Sequence, residues 1–193
     1  EVMAKMVSNG LSYCVMEVSS HALDQGRTEG FEFSSAVFTN LTQDHLDYHR
    51  DFETYYAAKR KLFLGQTLPQ RCVINQDDPF GVRLAREVSK QRQVVSYGLK
   101  TGSDYRACDI QLSLDGVQFD LVSGKERAKI VSPLALQHNV YNLIAALSTV
   151  SEEGISLKAS IPHIARFPGV RGRIERIDMG QDFHVFVDYA HTP

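Results

Sequence analysis

The sequence predicts an α/β domain of three layers, with a mainly parallel sheet and a small antiparallel sheet attached. Three observations carry that prediction. Short apolar runs that do not alternate end in polar clusters: YCVMEV over 13–18, SAVFTN over 35–40 and CVIN, then QDD, within 71–78. Such runs suit strands covered on both faces, and open α/β sheets bind ligands at the carboxyl ends of their strands. Helical patterns alternate with them, and between Asp104 and Val131 the texture changes to strict alternation.

Taken in order, the strand over Tyr13–Val18 leads into Glu17, Ser19, Ser20 and His21, and the strand from Ser35 leads into Thr42, Asp44, His45 and Asp47. Asp51 can cap a helix running to about Leu64, and Pro79 can open another toward Gln91. IQLSLDGVQFDLV alternates around Asp115-Gly116, a hairpin signal. After Pro133, Val140, Leu143, Ile144, Leu147 and Val150 form one helical stripe. A shorter helix over Leu157–Arg166 is closed by Pro168-Gly169, and RIERIDM and FHVFVDY then read as two strands about Gly180.

Composition narrows the function classes. A length of 193 residues fits one sizeable domain with the edge of a second, and 43% hydrophobic residues suffice for an ordinary core. A net charge of −2 without a Lys/Arg block argues against nucleic acid or an anionic membrane as partner. Cys14, Cys72 and Cys108 are odd in number and far apart, neither a disulfide framework nor a zinc module, so a reducing cytoplasm is expected. No apolar run approaches the roughly 20 residues that span a bilayer, and Glu1–Asn9 lacks the order of a signal peptide.

Several clusters could carry chemistry. Glu17 beside Ser19, Ser20 and His21 could hold a hard divalent cation or be a surface loop with a helix cap. Asp44, His45, Asp47 and His49 could be a metal site, an acid–base pair or solvated loop residues. Lys59 stands in an apolar stripe with Phe52, Tyr55, Tyr56, Leu62 and Phe63. It either snorkels its ammonium to water or has its pKa lowered by burial. Asn139 and Asn142 share one helix face, suited to an adenine edge or to helix capping. Arg173 and Asp188 could meet phosphate and ribose hydroxyls, or be plain strand-end residues.

Together EVSSHALDQGR, TNLTQDHLDYH, YYAAKRKLF, HNVYN, GRIE and DYAHTP resemble the Mur ligase family in order and spacing, over nearly the whole chain. Within it the EVSSH segment looks like the members that add the third residue of the stem peptide. The resemblance implies the P-loop-like central domain of those enzymes. It implies an ATP-dependent ligase that joins diaminopimelate or lysine to a UDP-muramoyl dipeptide through an acyl phosphate, monomeric when intact. It places Mg2+ on Glu17, His45 and Lys59, with Lys59 carried as a carbamate (N6-carboxylysine). It places substrate contacts on Ser19, Gln25 and Arg27, and ATP contacts on Asn139, Asn142, Arg173 and Asp188.

One departure stands out: no G-x-x-x-x-G-K-[ST] occurs in these residues. By resemblance that loop would lie just before Glu1. Residues 1–170 would be the central domain, and 171–193 the hinge and first strand of a mostly absent C-terminal domain. The expected consequences are no ligase activity from these 193 residues alone, and a strand over Phe183–Asp188 that is mobile or paired with another chain. Two rival enzyme readings are a folylpolyglutamate synthetase-like ligase and a metal-dependent hydrolase using Glu17, His21, His45 and His49. A nucleotide- or partner-binding module without chemistry is the non-enzyme alternative.

Overall fold

The computed structural model describes residues 1–43, 46–65 and 67–190, with only the backbone described at 46 and 47. Seven helices and eight strands are described: α1 (Val2–Ser8), α2 (Ser20–Asp24), β1 (Ser35–Phe38), α3 (Leu46–His49), α4 (Phe52–Leu64), β2 (Arg71–Asn75), α5 (Pro79–Val88), β3 (Gln93–Gly98), β4 (Tyr105–Ser113), β5 (Gly116–Ser123), β6 (Glu126–Ser132), α6 (Gln137–Glu152), α7 (Leu157–Arg166), β7 (Glu175–Ile177) and β8 (Val185–Val187).

The first six strands form one sheet in the order β1-β2-β3-β4-β5-β6. β1, β2, β3 and the start of β4 pair in parallel. β4, β5 and β6 pair antiparallel, so the hairpins continue the sheet instead of forming a separate one. Side chains alternate across this sheet and build two cores. Val73 and Val95 face α6 with Phe119, Leu121 and Ile144. Cys72 and Ile74 face the opposite layer with Tyr56, Phe63 and Leu84 from α4 and α5. This is the expected three-layer arrangement.

The helix starts follow capping chemistry. Asp51 accepts from the Thr54 N–H at 2.7 Å and Asp78 from the Gly81 N–H at 2.9 Å. The buried Asp78 cap is worth about 1 kcal/mol. Leu136, which starts α6, has no side-chain cap and sits at φ 72°, ψ 152°. That region is nearly reserved for glycine and stores strain.

Four expectations change. Tyr13–Val18 is not a strand: Tyr13 is 68% and Val15 99% exposed, because no neighbouring strand pairs with this segment. The central strand β3 was missed in the sequence, since QVVSYG follows the α5 pattern directly, without strong turn punctuation. The hairpin turn falls on Leu114-Asp115, and Gly116 already pairs with Ser113. A Cβ on Gly116 would stand 2.1 Å from the Ser132 carbonyl oxygen, so only glycine fits there. Lastly, β8 pairs antiparallel with β7 of its own chain, correcting the expected mobile or intermolecular strand. A hairpin partner 10 residues upstream is simply the easiest to reach.

Candidate functional site

The site is built on the ledge where β1, β2 and β3 end. The Asn75 side-chain amide donates to the Thr39 carbonyl at 2.8 Å, and the Tyr97 hydroxyl donates to the Phe38 carbonyl at 3.2 Å. Burial, first, pushes the Tyr97 phenol pKa up, so it remains a donor across the working pH range. Asp78 splits its carboxylate: Oδ1 caps α5, and Oδ2 accepts the Leu41 N–H at 3.1 Å. The backbone over 38–41 is therefore fixed by side chains from the two neighbouring strand ends.

Lys59 on α4 reaches this ledge. Its Nζ donates to the Asn40 carbonyl at 2.9 Å and lies 5.1 Å from the Tyr55 ring centre and 5.7 Å from that of Phe38. The lysine is half-buried, its stem among aromatic rings and its head at a backbone oxygen. Rings and carbonyl both suit an ammonium. Residues Tyr13–Val18, β1 and α4 line a cavity of about 440 Å3, with both Glu17 and Lys59 on its wall. The structure thus brings two of the expected magnesium-binding residues to one cavity. The third, His45, lies outside the described residues. Among the described residues no three of His, Cys, Asp and Glu gather into a ready cage. Magnesium is commonly held by one or two carboxylates plus substrate phosphates, so Glu17 fits that ion by donor type, whereas the Lys59 ammonium offers it no lone pair.

Ser19, Gln25 and Arg27 sit at the two ends of α2. Ser19 is its N-cap, accepting from the Ala22 N–H at 3.2 Å, and Gln25 follows its last residue. All three are exposed. The helix itself is docked by its other residues. Asp24 meets the Lys61 ammonium at 2.7 Å and the Tyr48 hydroxyl at 3.1 Å, and those two contacts hold its carboxyl below the usual range. The His21 ring centre lies 4.1 Å from that of Tyr48. His49 is fully buried, with Nε2 2.8 Å from the Ser20 hydroxyl and its ring stacked on Tyr55. With His49 engaged in this packing, the hydrolase reading loses one of its four groups.

The nucleotide candidates fall into two pairs. On α6, Asn139 donates to the Ala135 carbonyl at 2.6 Å, and Asn142 donates to the Asn139 side-chain oxygen at 3.2 Å. Asn142 is exposed. Tyr141, one turn into α6, donates its hydroxyl to Asp77, just beyond β2, at 3.0 Å. Burial and then this bond push the phenol up to about 12. In the second pair, Asp188 accepts the Ile174 N–H at 2.8 Å, and the Arg173 guanidinium lies 5.8 Å from the Tyr189 ring. Arg173 and Asp188 therefore share one exposed loop junction. The sequence reading missed Asn40, Asp78 and the Asp77–Tyr141 pair. DD after a short strand was the only signal, and partners dozens of residues away cannot be read from spacing.

The Mur ligase middle domain, as a family, matches residues 1–150. The chain belongs to the Mur ligase family. The chain is 47% identical over its full length to the UDP-N-acetylmuramoyl-L-alanyl-D-glutamate–2,6-diaminopimelate ligase of Thermosynechococcus vestitus, covering 39% of that protein. It is 46% identical to the ligase of the same description from Gloeobacter violaceus, again over its full length and 39% of that protein. A solved structure of a ligase so described superposes with a TM-score of 0.83, at 36% identity, over 96% of this chain and 38% of that one. This Mur ligase chain thus spans about two fifths of the relatives it matches, 39% in both proteins. Among its described residues no helix is long and apolar enough to cross a membrane.

Proposed function

We propose that the protein to which this chain belongs is an ATP-dependent amide ligase of the cytoplasm. It would add diaminopimelate to a UDP-muramoyl-L-alanyl-D-glutamate precursor of the cell wall. The observation that carries the reading is the 47% identity, along the full length of this chain, to a ligase of that description. The ledge geometry supports it.

In the proposed reaction the terminal carboxylate of the dipeptide attacks the γ-phosphorus of ATP and ADP departs. The amine of diaminopimelate then attacks the acyl phosphate carbonyl, phosphate leaves, and the nitrogen gives up a proton. Bound magnesium would neutralise charge on the phosphate oxygens, held by Glu17 and, as a carbamate, Lys59, with His45. To carry a carbamate, the Lys59 ammonium would lose a proton and the free amine would add to carbon dioxide, the nitrogen releasing a second proton. A cation that would repel the metal is then replaced by two hard oxygens sharing one negative charge. Ser19, Gln25 and Arg27 would hold the muramoyl dipeptide. Asn139 and Asn142 would take adenine, and Arg173 and Asp188 phosphate and ribose. None of these residues is a covalent nucleophile; they position reactants and offset charge.

The test is ADP release by the full-length protein given ATP, magnesium, the UDP-muramoyl dipeptide and either diaminopimelate or lysine. Turnover dependent on diaminopimelate, with the amide product seen by mass spectrometry, is expected. Turnover with lysine alone would reassign the amino acid, and none with either would sink the reading.

A further inference from the structure

We infer that His49 is a positioning residue for the muramoyl dipeptide, acting through its buried hydrogen bond to Ser20. The inference rests on the proposed function, because it concerns how that substrate is read. α2 has only five residues, too few to be stable alone, so its placement is set by what it docks against. The three substrate candidates stand at its two ends, with Ser19 before it and Gln25 and Arg27 after it. Whatever fixes α2 against α4 therefore fixes those residues relative to Lys59.

The ties differ in kind. The bonds of Asp24 to Lys61 and Tyr48 are exposed, where water competes and side-chain entropy opposes them. Ser20 and His49 are each 2% exposed, and their polar atoms meet at 2.8 Å. In one tautomer the Ser20 hydroxyl donates to Nε2; in the other Nε2–H donates to the hydroxyl. Away from water either form is directional and costly to leave unmade. The His49 ring is in turn held flat against Tyr55, at 5.0 Å and 10°, one helical turn before Lys59. A continuous buried path thus runs from Ser20, next to Ser19, through His49 to the helix that carries Lys59.

The experiment uses the full-length ligase. His49→Phe keeps the ring on Tyr55 and deletes the hydrogen bond, while His49→Gln offers a donor and acceptor near the position of Nε2. His49→Phe is expected to weaken calorimetric binding of the UDP-muramoyl dipeptide about three- to tenfold, as for a lost hydrogen bond. Its affinity for ATP should stay close to the wild type, while its melting temperature should fall by a few degrees because the buried Ser20 hydroxyl is left unpaired. His49→Gln should recover most of the loss, and adding Ser20→Ala to His49→Phe should cost nothing more. Unchanged dipeptide binding in His49→Phe, equal losses for dipeptide and ATP, or no recovery with Gln would each overturn the role of His49. A wild-type protein that does not bind the dipeptide would instead overturn the proposed function and this inference with it.

Discussion

In β2, Cys72, Val73 and Ile74 are all fully buried although they point alternately to opposite faces; in β6, Ile130 is fully buried while its neighbour Val131 is 50% exposed. The two strands belong to one sheet. The parallel half lies between helical layers, α6 on one side and α4 with α5 on the other. The antiparallel half is covered on one face only. The difference teaches where chemistry can be built. Strands clamped on both faces present rigid carboxyl ends, and it is there that Asn75, Asp78, Tyr97 and Lys59 converge on the backbone over 38–41. The hairpins of β4–β6 carry none of the candidate residues and serve to roof α6.

Five substitutions test that contrast. Lys59→Ala should have the largest effect, lowering turnover of the full-length ligase by at least about 100-fold, the scale of losing a preorganised electrostatic group. A small carboxylate in the buffer should restore part of it. Near-normal kcat would return Lys59 to an ordinary half-buried lysine. Next, Ile74→Ala should destabilise the domain by about 2–5 kcal/mol, whereas Val131→Ala should stay within about 0.5 kcal/mol. Urea unfolding followed by circular dichroism measures both. Similar costs would mean that the halves are equally packed.

Asn142→Ala should raise the apparent KM for ATP about three- to tenfold with kcat changed less than about twofold, because adenine contacts differ little between ground and transition states. A fall in kcat at constant KM would displace the nucleotide from α6. The smallest effect is a gain. Leu136 joins the antiparallel half to α6 in a strained conformation, and its side chain is 41% exposed. Relief of about 1–3 kcal/mol, less the entropy glycine adds to the unfolded chain, should leave Leu136→Gly more stable by about 1 kcal/mol. A lower unfolding midpoint would show that the turn holds no strain.

What the sequence revealed follows from the same contrast. Asp51, Pro79 and the stripe from Val140 to Leu147 are local signals, and the helices begin where those residues place them. The alternation about Gly116 likewise located the hairpin to within one residue. Tyr13–Val18 failed because an apolar run becomes a strand only if another strand lies beside it, and pairing is not local. β3 was overlooked for the converse reason, as its neighbours on both sides supply the order that its own residues do not announce. The site behaved similarly. Glu17, Lys59 and the Asn139–Asn142 pair stood out in the sequence as candidate residues. The Ser20–His49 and Asp77–Tyr141 bonds span 29 and 64 positions and exist only in the folded chain.

The divided carboxylate of Asp78 has a kinetic consequence. One oxygen holds the first turn of α5 and the other holds the backbone just beyond β1, so a rotation about its χ angles releases both at once. Helix start and ledge then open as a single cooperative unit. The amides of Gly81 and Leu41, 40 residues apart in the chain, should exchange with deuterium at a shared opening free energy. Hydrogen exchange at Leu41 would thereby report on the ledge that receives Lys59, read out with no substrate present.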